Sequence, residues 1–266
     1  MITTLNILAI ITYLMTWLLI VVRVRGQLNQ YRDKCRVYLK ITWSLALLFQ
    51  GCSLYIPLLQ SGSLSLDLIS ALSQVLWLLS LLIFYTTFRY KIETLALFVI
   101  PMVIFGIVLR FFSVDWNMTP LSGGMSIHIF TSLFAYSVLF FASIQAALLT
   151  YQHHQLHRHQ TLGLMRTLPP LQEMEALLFQ LINIGVVLLS MALLSGFFYL
   201  DDLFEQDVAH KTILSVIAWL LFSALLFKRY RYGCRSKLAT RWTLFASVFL
   251  FLAYFGSKFV FEYILH

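Results

Sequence analysis

The sequence predicts an all-α, polytopic membrane bundle of about eight transmembrane helices. Three observations carry that expectation. Of 266 residues, 60% are hydrophobic and 11% are charged, against roughly 25% charged in a soluble domain. The apolar residues gather into runs close to or above the ~20 residues that take a helix across the hydrocarbon layer. Basic residues crowd into alternate gaps between those runs, as the positive-inside rule requires of short loops.

The first run, 4–22, has no basic residue before it and a dense basic segment after it, including Arg23, Arg25, Arg32, Lys34, Arg36 and Lys40. That polarity is wrong for a cleavable signal peptide and right for a first crossing. The second run, 38–59, contains Pro57, the third is 66–88, and the fourth, 94–112, contains Pro101. The fifth, 126–150, leads into the longest loop, about 151–175, where Pro169-Pro170 breaks the chain. The sixth, seventh and eighth are 176–199, 211–227 and 243–263. Helices are expected throughout, because lipid offers unpaired backbone no partner and the alternating pattern of a membrane barrel is missing. The loops are too short to hold another domain, so residues 1–266 are expected to form a single transmembrane domain.

All but three of the 19 basic residues (Arg110, Lys211 and Lys258) lie after the first, third, fifth and seventh runs. Asp67, Asp115, Asp201, Asp202, Glu205 and Asp207 lie on the opposite side. Both termini are therefore expected on the outer, periplasmic face. The net charge of +8 reflects topology, and no motif points to nucleic acid. Three cysteines, Cys35, Cys52 and Cys234, make no disulfide framework, and no Cys-x-x-Cys-His occurs for covalent haem attachment.

Polar groups at bilayer depth are costly and mark candidate sites. His128 lies about one turn inside the fifth run, with Thr131, Ser132 and Tyr136 on the same helical face. A neutral imidazole there suits either an axial iron ligand or an interhelical hydrogen bond. Arg110, near the outer end of the fourth run, suits a carboxylate such as a haem propionate, or snorkels to the headgroups. Asp67, Ser70, Gln74 and Trp77 share a face of the third run, and Gln180 and Asn183 lie a turn apart in the sixth. Both sets read as interhelical hydrogen bonding. Lys258 and Glu262, four apart, are placed to neutralise one another. Ionisable residues at depth are too sparse for a proton pathway, and no inverted repeat of the transporter kind is visible. His153, His154, His157 and His159 form a cluster whose i, i+4 pair, His153 and His157, has the spacing of a metal chelate. Asn117-Met118-Thr119 matches a glycosylation acceptor, a motif short enough to arise by chance.

The stretch from His128 through Phe130, Thr131, Ala135 and Tyr136 to Ser137 resembles the fifth-helix signature of the cytochrome c assembly (CcsA/ResC/CcmC-type) membrane proteins, and within them the small YpjD-like branch. Asn183, Gly185, Ser190, Ser195-Gly196, Lys211-Thr212, Ala218-Trp219 and Tyr254-Phe255-Gly256 follow in the order of that branch. The resemblance implies a bacterial inner-membrane, multi-pass protein that binds haem and assists cytochrome c assembly or haem delivery. Its implied partners are the lipid bilayer and other cytochrome c maturation or haem-pathway proteins. It implies His128 as an axial ligand, with His210 and His266 as candidate second ligands. There are departures. No tryptophan occurs in 199–211, where the larger members have a tryptophan-rich outer loop, and Gln50 and Phe227 stand where relatives place histidines. A HemX-like regulatory or scaffolding protein, acting through protein contacts without stable haem, is the alternative. No bond-making residues are visible, so an enzyme is not expected.

Overall fold

The computed structural model describes residues 1–25, 32–65, 67–89, 93–112, 118–120, 123–157, 168–199, 206–233 and 236–256. Among these, eight helices run in order: α1 (Ile2–Val24), α2 (Arg32–Ser61), α3 (Leu68–Thr86), α4 (Ala96–Arg110), α5 (Gly123–His157), α6 (Leu171–Tyr199), α7 (Gln206–Tyr232) and α8 (Ser236–Phe251). Eight stretches are long and apolar enough to cross a bilayer, the fourth (Glu93–Arg110) including the short 3-10 turn before α4 and the eighth (Ser236–Gly256) the π turn after α8.

Several helices outrun the apolar stretches that announce them, because a helix continues into the headgroup layer until a residue stops it. Gly62 (φ 65°) and Gly233 (φ 71°) supply the left-handed residue that ends α2 and α7. Pro169-Pro170 stands directly before α6, where a missing N–H is harmless. α3 is capped by Asp67, whose carboxylate accepts the Ser70 amide at 3.1 Å. Asp67 is therefore a helix cap within its own strand of sequence, as well as the first polar group of the α3 face.

The described residues fall into two compact groups of four helices, α1–α4 and α5–α8. In the first, α1 packs on α2 and α4, and α3 on α2 and α4. The buried face of α1 is Asn6, Ala9, Tyr13, Thr16 and Ile20, alternating three and four apart, while Ile7, Leu8, Ile11, Leu14 and Leu18 are exposed. Apart from Ile20, the large aliphatic side chains among these point out, and small or polar ones point in. That is the arrangement lipid selects, since tails solvate leucine as well as another helix does, and packing plus hydrogen bonds must hold the helices together.

Those bonds are present. The indole nitrogen of Trp17 donates to the Leu97 carbonyl at 3.1 Å, that of Trp43 to Ser80 Oγ at 2.9 Å, and that of Trp77 to the Leu47 carbonyl at 2.9 Å. Each is worth roughly 0.6 to 2 kcal/mol in a bilayer. At the basic end, Arg23 (2.5 Å) and Arg36 (3.6 Å) converge on Glu93. A short antiparallel ribbon, β1 (Ser63–Ser65) with β2 (Met118–Pro120), ties the segments following α2 and α4, with Leu64 opposite Thr119.

Gln50 on α2 is 1% exposed, and neither amide atom meets a hydrogen-bond partner among the described residues. An orphaned buried amide costs about 1–3 kcal/mol. Gln50→Met, close in volume, is therefore expected to raise the midpoint of thermal unfolding in detergent, and a lowered midpoint would show that the amide is paired.

In the second group, α5 packs on α6 and α8, and α7 on α6 and α8. Ser143 Oγ donates to Ser247 Oγ at 2.5 Å, Gln145 Nε2 to the Met174 carbonyl at 3.0 Å, and the Trp219 indole to Ser190 Oγ at 2.8 Å. Gln180 and Asn183 are exposed on α6, off the buried stripe of Leu177, Leu178, Leu181, Ile182, Leu189 and Ala192. The expectation that this pair lies in a helix interface is not met for Asn183, which is exposed and off that stripe. After Phe251 the helix widens into a π turn, Leu252–Gly256. Lys258, Glu262 and His266 lie outside the described residues.

Candidate functional site around His128

α5 begins at Gly123, so His128 falls in its second turn, with the ring half-buried and turned toward α6. His128 Nδ1 is 3.0 Å from the Ala192 carbonyl oxygen and 3.3 Å from Ser195 Oγ. A carbonyl has no proton to give, so Nδ1 carries the hydrogen and the unprotonated lone pair of the neutral ring lies on Nε2. Ser195 Oγ itself donates to the Ala192 carbonyl at 2.9 Å. The imidazole is thus held by a backbone oxygen and a hydroxyl of the neighbouring helix, with Ala192 and Ser195 both buried. A metal-ligating histidine is oriented in this way, its second ring N–H given to a carbonyl so that the other nitrogen is a fixed donor.

The polar stripe predicted beside His128 divides by partner. Thr131 Oγ1 donates to the Ile127 carbonyl of its own helix at 2.7 Å. Tyr136 reaches α7, its hydroxyl 3.3 Å from Ser215 Oγ, and its ring lies 5.4 Å from that of Tyr254 in the π turn. The stripe therefore joins α5 to α6 at one level and to α7 and the π turn at the next.

The other expected site residues are placed as follows. Arg110 closes α4 in the first group, its Nη1 donating to Ser53 Oγ at 3.4 Å, and Ser53 in turn donates to Asn6 Oδ1. His210 is within α7, but its side chain is outside the described residues, as is the whole of His266. Cys35 and Cys52 are free thiols. His153 and His154 belong to the last turns of α5, where a loop was expected, and His153 Nδ1 donates to the Leu149 carbonyl at 2.8 Å. Among the described residues no group of three or more metal-ligating side chains comes together. Ala192 and Ser195 as the anchors of the imidazole were not legible in sequence, where Ser195 stood out as part of the Ser195-Gly196 pair that shares the resemblance.

The family model described as Cytochrome C assembly protein matches residues 38–265. Inner membrane protein YpjD of Escherichia coli (strain K12) is 37% identical over 137 residues, 52% of each chain. An uncharacterized 28.8 kDa protein of Azospirillum brasilense is 31% identical over 145 residues, 53% of each. Protein HemX of Brevibacillus brevis is 28% identical over 165 residues, 58% of this chain and 60% of that one. The chain spans about half the length of the curated relatives it matches. No solved structure matches.

Proposed function

The chain belongs to the Cytochrome C assembly protein family, and from that premise we propose that it is a haem-binding, multi-pass protein of the bacterial inner membrane that assists cytochrome c assembly or haem delivery. The observation that carries the proposal is the Nδ1–H of His128 given to the Ala192 carbonyl at 3.0 Å, which leaves Nε2 as the donor. Haem would supply an iron centre, and His128 would be the residue that holds it through Nε2. The work of the chain is to hold that nitrogen in one tautomer and one orientation, using Ala192 and Ser195, without a charged group at membrane depth. Arg110 is the candidate contact for a propionate, its guanidinium being a fork of donors matched to a carboxylate. His210 and His266 are the candidate second ligands. If His128 is the one ligand, the site would suit transient haem binding better than electron transfer.

The basic ends of the helices meet within each group, at Arg23, Arg36 and Glu93 in the first and at Arg229 and Glu175 (3.1 Å) in the second. Positive charge in short loops faces the cytoplasm. His128, at the opposite end of α5, then faces outward, where apocytochromes mature. On this reading the chain acts by binding haem, and cytochrome c maturation or haem-pathway proteins are its proposed partners.

The absence of tryptophan from 199–211, with Gln50 and Phe227 where relatives place histidines, favours a second reading, a HemX-like regulator that works through protein contacts without stable haem. Protein purified from haem-replete cells in mild detergent decides between them. A Soret band at near-stoichiometric haem supports the first reading, and its absence at equal protein yield overturns it in favour of the second.

A further inference from the structure

α6 carries one amide that its own group leaves unpartnered. Asn183 is exposed, off the stripe by which α6 packs on α5 and α7, and it makes no hydrogen bond among the described residues. We propose that Asn183 marks an interface within the membrane at which α6 packs against α6 of a second copy of this chain, the two Asn183 amides hydrogen-bonded to one another.

Depth is what makes that amide costly. Asn183 stands eight residues beyond Glu175, which pairs with Arg229 at the basic end, and twelve before Ser195, which meets His128 near the other. At about 1.5 Å per residue these are roughly 12 Å and 18 Å along the axis, well inside a hydrocarbon layer about 30 Å thick. The side chain has a single methylene, so it cannot carry its polar end to the headgroups as lysine or arginine does. Nor does it close onto its own helix, as Ser190 Oγ does onto the Val186 carbonyl at 2.8 Å. Lipid gives an amide no partner, and asparagine or glutamine at depth draws helices together for that reason.

The face around Asn183 has the form of a helix seam. Ala176, Gln180, Asn183, Val187, Met191 and Leu194 follow one another three or four residues apart, and all are exposed. What covers the seam must bring a hydrogen-bonding group to the middle of an apolar surface. More than about two turns from a helix end, no exposed side chain of α1–α4 among the described residues carries an amide, hydroxyl or indole, and Cys52 brings only a weak thiol. A second copy supplies the complement. Two identical chains inserted the same way up associate about a two-fold axis along the bilayer normal, which sets each residue opposite residues of its own depth. An asparagine amide is both donor and acceptor, so each Asn183 nitrogen donates to the Oδ1 of its image. A single polar residue on such a seam also fixes the register of the paired helices.

Cysteine cross-linking of the full chain in phospholipid vesicles tests this. Val187→Cys, one turn from Asn183 on the same face, is introduced with Cys35→Ser, Cys52→Ser and Cys234→Ser, and oxidation is expected to yield a dimer. Adding Asn183→Leu is expected to weaken association about three- to thirtyfold, read by energy transfer between labelled copies as they are diluted in lipid. Leu220→Cys, exposed on α7 beside the level where Trp219 meets Ser190, is expected to give no dimer. Unfolding midpoints establish that each variant is folded. The proposal is overturned by a monomeric Val187→Cys protein, by association that Asn183→Leu leaves unchanged, or by equal cross-linking through Leu220→Cys. Cross-linking of Val187→Cys in native membranes to a different polypeptide alone also overturns it, and assigns the face to another membrane protein. The inference does not rest on the haem reading, and haem plays no part in the readout.

Discussion

His128→Ala is expected to abolish the Soret band of protein purified from haem-replete cells, at unchanged yield and helicity. The ring contributes one nitrogen to the site and one hydrogen bond to the fold, and the second is small, roughly 0.6 to 2 kcal/mol. Loss of the first removes the axial donor. Even the outer-shell partners of metal ligands are worth about 10–100-fold in affinity, so loss of the ligand itself is expected to exceed the upper end of that range. Ser195→Ala separates the roles. It deletes one of the two groups near Nδ1 and leaves the Ala192 carbonyl, so haem is retained with an affinity lowered about tenfold or less. Haem titration followed by absorbance measures both variants. A full Soret band in His128→Ala would remove His128 from the site, whatever Ser195→Ala did.

Gly185→Val is expected to be the most damaging single change to the second group. A Cβ built at Gly185 falls inside contact distance of Leu139 Cδ2 and Cγ, with Val138 Cγ1 at 3.5 Å. Leu139 is fully buried, so it has nowhere to swing. Overpacking of this kind costs about 1–3 kcal/mol, and here it would push α6 from α5 along the same interface that sets the His128 to Ala192 distance. Both the unfolding midpoint and haem retention are therefore expected to fall. The double variant Gly185→Val with Leu139→Ala should recover much of the loss, because touching residues couple where distant ones add. An unchanged midpoint in the single variant would show that α5 and α6 have room for a side chain at Gly185.

How much of this was legible beforehand varied by kind of feature. All eight helices follow from apolar runs, since chain length and hydrocarbon thickness leave few alternatives. Their ends were harder to place, as with α5, which continues through His153 to His157, and α8, which starts at Ser236 rather than near 243. Hydropathy falls where the headgroups begin, whereas a helix ends only where a glycine, a proline or a cap ends it. Polar residues on a helix face showed the same division. Trp77 does cross to α2 as its face suggested, but Asp67 caps its own helix and Asn183 is exposed. Amides and carboxylates at helical spacing do not declare whether their partner is a neighbour in sequence or in space.

By itself the sequence determined that this chain lives in lipid, how many times it can cross, and which ends carry positive charge. These are sums over many residues in a solvent with strict demands, so they are insensitive to local detail. Only the tertiary structure decided that His128 gives its Nδ1–H to α6, that Gly185 is the point of closest approach to Leu139, and that Asn183 is left exposed on α6. Each of these depends on the distance between two helices and the rotation of each about its axis, and a linear pattern of residue types does not encode either one.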